Sequence, residues 1–336
     1  MTAPCPMRPA LLAANLTTLL NWKIFKRRYV LRIAVALITL LIVLQPGLTR
    51  AAGILEQVTQ TKVLTAGVRS DAFPFSFRNE QGNYDGYSIN LLRLIQQHLS
   101  ESENHPIDLR FVDVGSDGLK RLVQGDVDIS CGSISYTRNR ALDIDFSVGY
   151  FLTGTQLLVK QDEQVNNEFR IGVLQGTTNA DIVKRLLPLA QFVELSDRSA
   201  GLTALEQGWI DALASDGILL EGLRQETSDP SQFEVMPDQP YDEQIYSCIL
   251  PQGNEPFRQI VNTTLVEFMQ GLLNQDQTAL SLFDRWFGQS GVLIDRERVF
   301  AFFQQTVNTF ARTPSDSPQS NSFLPRLNFS IFSNRP

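Results

Sequence analysis

Histidine and cysteine are nearly missing from this chain of 336 residues: two of the first, His98 and His105, and three of the second. No CxxC spacing occurs, so neither a structural zinc site nor a triad built on histidine is expected, and no metal or cofactor is implied. Acidic residues are missing altogether from residues 1–52, where seven of the 29 basic side chains lie. That leaves 22 basic against 36 acidic side chains in residues 53–336, a net of −14. Nucleic acid is a poor partner for such a body, because phosphate binding needs clustered Lys and Arg. A long apolar run is also lacking. The apolar core from Ile33 to Leu44 is short of the roughly 20 residues that span a bilayer. With its basic flank, Pro46-Gly47 and the small residues Ala51 and Ala52, it reads as a secretory signal peptide over residues 1–52. Arg50 spoils part of the cleavage pattern, which keeps an uncleaved anchor as the alternative, and Arg27-Arg28 gives a weak twin-arginine cue. Only Cys131 and Cys248 remain after such processing. Both sit in apolar, strand-like runs, where free cysteine behaves as a small buried hydrophobe; a single disulfide is the other reading for an exported chain.

What the chain does have is alternation. KVLTAGVR reads as a strand, SINLLRLIQQHLS as an amphipathic helix, IDLRFVDV as a strand, DGLKRLVQG as a short helix and DVDISC as a third strand. After TGTQLLVK and the polar stretch QDEQVNNE the order starts again: FRIGVLQG, TTNADIVKRLL, AQFVEL, AGLTALEQG, WIDALAS and DGILLEGLRQ. YSCILPQG adds a strand, followed by helices around 255–271 and 278–287. The expected fold class is α/β, with two mainly parallel sheets flanked by helices. The Ser/Pro/Asn-rich end reads as a tail.

Ligands of open α/β sheets bind beyond the carboxyl ends of strands. GSISYTRNR stands there in the first unit, LQGTT and SDG in the second. Arg140 is a fixed cation suited to a carboxylate. Ser133 and Ser135 lie two apart, on one side of an extended loop. Thr178 opens a helix whose free N–H groups favour an anion, and Asp216 can accept from an ammonium. Each has a plainer role open to it: a surface ion pair for Arg140, a helix cap for Thr178 and Asp216. Together they match the two charges of an α-amino acid.

These stretches, with GVRSDAFPFSF, GNYDGYSINLL, the run QGDVDISCGSISYTRNRALDIDFSVGYFLTGTQLLVK, RIGVLQGTTNADI, IDALASDGILLEGL and FDRWFG, resemble the extracytoplasmic solute-binding proteins of polar amino-acid ABC importers, bacterial family 3. The resemblance covers roughly Ile54 to Leu293. It implies a two-lobed periplasmic-binding fold of type II, with residues 53–160 in lobe one, 161–245 in lobe two, 246–311 returning to lobe one and 312–336 as the tail. It further implies a periplasmic monomer that hands an amino acid to an inner-membrane permease. Ser133, Ser135 and Arg140 would hold the α-carboxylate and its neighbours, Thr178 would help from lobe two, and Asp216 would take the ammonium. Phe73 and Phe75 match the aromatic segment that lines the ligand, with core packing as the alternative. Arg69 and Arg198 are the candidates for a second ligand carboxylate, after the glutamate/aspartate subfamily. Against them stand ion pairs of Arg69 with Asp71 and of Arg198 with Asp197 or solvent, which would suit an amide ligand. The chain departs from the family at Asn90 and Ser130, where acidic residues are usual, at Gly118, where a second arginine is expected, and at Arg198, where the subfamily has histidine. An enzyme of the prephenate or arogenate dehydratase kind and a membrane-tethered sensor are the rival readings. A fused transglycosylase is not expected, since no catalytic domain follows Phe287.

Overall fold

The computed structural model describes residues 53–163, 168–289 and 291–312, so the expected signal peptide lies outside the described residues, as does the expected tail apart from Arg312. The elements run α1 (Ile54–Thr61), β1 (Val63–Val68), β2 (Asp71–Ala72), β3 (Ser76–Arg78), β4 (Tyr84–Asp85), α2 (Tyr87–Ser102), β5 (Asp108–Asp113), α3 (Gly118–Val123) and β6 (Ile129–Ser130). Then come β7 (Ile144–Thr153), β8 (Thr155–Lys160), β9 (Arg170–Leu174), α4 (Thr178–Leu186), β10 (Gln191–Leu195), α5 (Arg198–Glu206), β11 (Ala212–Asp216), α6 (Gly217–Gln225) and β12 (Phe233–Met236). The chain returns through β13 (Gln244–Pro251), α7 (Glu255–Leu273), α8 (Gln277–Phe287) and α9 (Arg296–Arg312).

Two five-stranded sheets result, in the orders β5-β1-β6-β13-β7 and β10-β9-β11-β8-β12, with a small third sheet β2-β3-β4. In each large sheet the first two pairings are parallel and the last two antiparallel, because the fourth strand, β13 or β8, runs against its neighbours on both sides. Four of the five strands in each sheet run the same way, so the sheets are mainly parallel as expected, each mixed by one opposed strand. The opposed strands are the ones at the crossings: β8, which follows β7 through Gly154 alone, and β13, by which the chain comes back to lobe one. The lobe boundary moves accordingly. β8 and β9 both belong to the second sheet, so the chain crosses at Gly154, ahead of the expected boundary at residue 160.

Lobe one encloses an aromatic core in which Phe75, Tyr87, Phe151, Tyr246, Phe283 and Phe287 are all buried. Lobe two buries two smaller, mostly aliphatic sets on the two faces of its sheet, with Phe169 in one and Phe233 in the other. Cys131, just past β6, and Cys248, in β13, form a disulfide, which replaces the reading of two free buried thiols. Antiparallel pairing of β13 with β6 brings the two runs side by side, a neighbourhood that strand-by-strand reading does not contain. α9 was not foreseen as an element; it packs on α7 and β7, with Phe302 against the backbone at Gly149. No helix among the described residues is long and apolar enough to cross a membrane.

Candidate functional site

Between the lobes lies a cavity of about 610 Å³, within the usual range for a small-molecule site. Arg69, Ser133, Ser135 and Arg140 line it from lobe one; Thr178, Arg198 and Asp216 line it from lobe two. Phe73 and Phe75 do not line it. Phe75 packs edge-on against Tyr87, Phe151 and Tyr246 in the core, and Phe73 lies against Phe77 and the backbone at Gly222. Both are large apolar rings beside a core with room for them, so packing takes them away from the cavity.

The loop GSISYTRNR is held from behind. Tyr150 of β7 donates to the carbonyl of Gly132 and accepts from the Gly132 N–H at 3.1 Å, with Ser88 Oγ 3.0 Å away. Ser135 bridges to Tyr246 of β13. Arg140 donates to the Ser135 carbonyl at 2.9 Å and, across the cleft, to that of Gly176 at 3.4 Å. Its partners are carbonyl oxygens, not the carboxylate of a surface ion pair. Gly176, at φ +74°, makes the left-handed turn into α4. There Thr177 is the N-cap, accepting from Ala180 N at 3.2 Å, which leaves Thr178 free of the capping role. Asp216 stands at the N-cap position of α6 yet makes no capping hydrogen bond. Instead it accepts from Asn179 Nδ2 at 3.1 Å.

Electrostatics follow from burial. Burial pushes the Asp216 carboxyl up, against the pull of Tyr246, Asn179 and Arg198. Burial also lowers the Arg140 guanidinium, opposed by Asp216 and Asp181. Arg69 is committed to Asp71, through Nε at 2.8 Å and Nη2 at 2.6 Å, as the ion-pair alternative held. Burial raises Asp71, but Arg69 and then Arg198 outweigh it and leave the carboxyl below its ordinary value. Arg198 pairs with neither Asp197 nor solvent: it is 4% exposed, donates from Nε to Ser215 Oγ at 3.0 Å, and sets Nη1 3.5 Å from Asp71 Oδ2 with no hydrogen bond. Burial, then the like charge of Arg69, depresses it. Of the departures, Asn90 accepts from Trp286 Nε1 at 2.8 Å within the core, and Ser130 donates to the Gly67 carbonyl at 2.9 Å.

Gln244 was missed. It opens β13 and accepts from both Ser135 Oγ and Thr178 Oγ1, the latter at 2.6 Å, while donating to Thr155 Oγ1 at 2.9 Å and Asp242 Oδ2 at 3.1 Å. A lone glutamine after an acidic turn carries no sequence signal for this. Among the described residues no group of three or more His, Cys, Asp or Glu is placed to hold a metal.

Several known proteins are similar to the chain. An L-glutamate/L-aspartate-binding protein of Pseudomonas aeruginosa is 28% identical over 250 residues, 70% of this chain and 80% of its own length. A glutamine-binding protein of Geobacillus stearothermophilus is 30% identical over 176 residues, 50% of this chain and 66% of its own. Among solved structures, a variant of ArgBP from T. maritima superposes with a TM-score of 0.61 at 20% identity, covering 70% of this chain and 100% of that one. An ancestral amino acid-binding protein, described as a precursor of cyclohexadienyl dehydratase, gives 0.59 at 23% identity, with the same coverage. At these identities the structures establish the fold alone: two lobes of the type II binding-protein kind. A family model matches residues 64–289, and the chain belongs to the bacterial extracellular solute-binding proteins, family 3.

Proposed function

We propose that the protein is the extracytoplasmic receptor of an ABC importer, and that it closes its two lobes on an acidic amino acid, glutamate or aspartate. Arg140 takes the α-carboxylate and Asp216 the α-ammonium, so the zwitterionic part of the ligand is neutral within the site. The observation that carries the choice of ligand is Arg198, a buried cation at the cavity whose Nη1 has no hydrogen bond. Asp71 already serves Arg69, so the cluster Arg69–Asp71–Arg198 keeps one positive charge in excess. An unpaired buried charge is costly, and a side-chain carboxylate from the ligand supplies the missing partner. Relatives that bind glutamate, aspartate or glutamine support the ligand class. A micromolar complex requires only about −8 kcal/mol, within reach of such a clamp. Relatives that are binding proteins favour a receptor over an enzyme. Export follows from the leader-like residues 1–52, with delivery to a permease in the inner membrane.

Calorimetry with glutamate and glutamine, on wild type and Arg198→Gln, tests the reading. Glutamate is expected to bind wild type more tightly, and the substitution to weaken it by about 30-fold or more while sparing glutamine. Equal binding of the two ligands, unchanged by the substitution, overturns the acidic-ligand assignment.

A further inference from the structure

Gln244 stands where the chain re-enters lobe one, and its amide is used to capacity. Oε1 accepts two hydrogen bonds, from Ser135 of lobe one and Thr178 of lobe two; Nε2 donates two, to Thr155 and Asp242 at the crossing. Asp242 is fixed in turn by Thr155 N, which donates to Oδ1 at 2.8 Å. Thr155 Oγ1 also accepts from Asn179 Nδ2 at 3.1 Å, and the same amide reaches Asp216. Ser135, Thr155, Asn179, Asp216 and Gln244 are all buried. One residue thus joins a hydroxyl on each wall of the cavity to the strand crossing and, through Thr155 and Asn179, to the carboxylate opposite Arg140.

We propose that Gln244 couples lobe closure to ligand capture, as a positioning residue whose bonds to Ser135 and Thr178 are complete only when the lobes are together. Each hydroxyl has a single proton and gives it to Gln244 Oε1, so both meet a ligand as acceptors. Gln244 therefore also sets the polarity of the two hydroxyls, leaving the ligand carboxylate to Arg140 and to the first-turn N–H groups of α4. Opening the lobes separates Ser135 from Thr178 and breaks one of the pair, which biases the empty protein toward closure and slows ligand escape.

The ligand arm of the test rests on the glutamate reading, whereas the shape arm does not. Small-angle scattering of the ligand-free protein is expected to show a more open form for Gln244→Ala than for wild type. L-glutamate should leave that variant faster by about 10- to 100-fold, the worth of one or two net hydrogen bonds. Gln244→Glu keeps the acceptor for both hydroxyls but sets a carboxylate against Asp242, and Asp242→Asn sets an amide against an amide; each should show the same defects. The double variant Gln244→Glu/Asp242→Asn reverses the donor between the two positions and should recover wild-type shape and dissociation. It also keeps the idea falsifiable should Gln244→Ala fold poorly. An unchanged shape and dissociation rate in Gln244→Ala, or a double variant no better than Gln244→Glu, overturns the proposal. Failure of glutamate to bind wild type overturns the ligand reading alone, because the scattering comparison still decides the role of Gln244.

Discussion

Arg140 and Asp216 face one cavity from opposite lobes, neither used as a helix cap or surface ion pair, and in the proposed function they take the two charges of an amino acid. Arg140→Ala should therefore abolish binding while leaving the thermal unfolding of the empty protein close to wild type. Leaving a carboxylate unpaired in the closed cleft costs roughly 2 to 5 kcal/mol, or about 30-fold to several-thousand-fold in affinity. Calorimetry checks the first expectation and a melting curve the second; near wild-type affinity would remove Arg140 from the site. At this scale the sequence was readable wherever a residue stands just past a strand, because strand ends of an α/β sheet converge on one crevice and their polar loops are conspicuous. Phe75 misled because an aromatic ring next to a strand looks the same whether it faces ligand or core. Gln244 was invisible because its meaning comes from four partners distant from one another in the chain. Arg198 was seen, but its burial, which gives the free Nη1 its force, is a property of α5 packed on β11.

Elements were legible where period and punctuation agree. The βα alternation of both lobes came through because apolar runs are separated by amphipathic stretches with glycine stops. β7 did not, since Gly149 and polar residues interrupt IDFSVGYFLT and its burial follows no strict alternation. The α2–α7 contact shows a different kind of hidden feature. Glu267 of α7 has a buried Oε2 without a hydrogen bond, faces His98 at 4.0 Å, and feels Glu101 of α2. Burial, then Glu101, pushes its carboxyl up to about 7, and burial lowers His98 against the pull of Glu101. A carboxyl raised in the folded state contributes stability that is present below its ordinary value near 4.5 and lost as pH rises through about 7. Glu267→Gln keeps the neutral shape at every pH. It is expected to match wild type in urea unfolding at about pH 4.5 and to be the more stable protein at pH 8. A constant difference between the two across that range would show that Glu267 does not titrate there.

At the scale of the molecule, lobe two is an insertion into lobe one. The chain leaves the first sheet at the end of β7 and re-enters it in β13, so the integrity of lobe one depends on strands from distant parts of the sequence. The Cys131–Cys248 disulfide ties β13 to the loop that follows β6, with a separation of 117 residues that encloses all of lobe two. A bridge over so long a loop removes much freedom from the unfolded chain, and such bridges contribute typically 2–4 kcal/mol. The family is one of extracellular solute-binding proteins, and outside the cytoplasm such bridges persist. Replacing both cysteines by alanine should lower the stability of lobe one by about that amount, while lobe two, whose sheet contains neither cysteine, keeps its own. Native-state hydrogen exchange separates the two: amides of β1, β6 and β13 should exchange faster, and those of β9 and β11 should not change. Equal acceleration in both lobes would mean that the bridge supports the whole molecule as one cooperative unit; no acceleration in lobe one would mean that sheet pairing alone holds β13 in place.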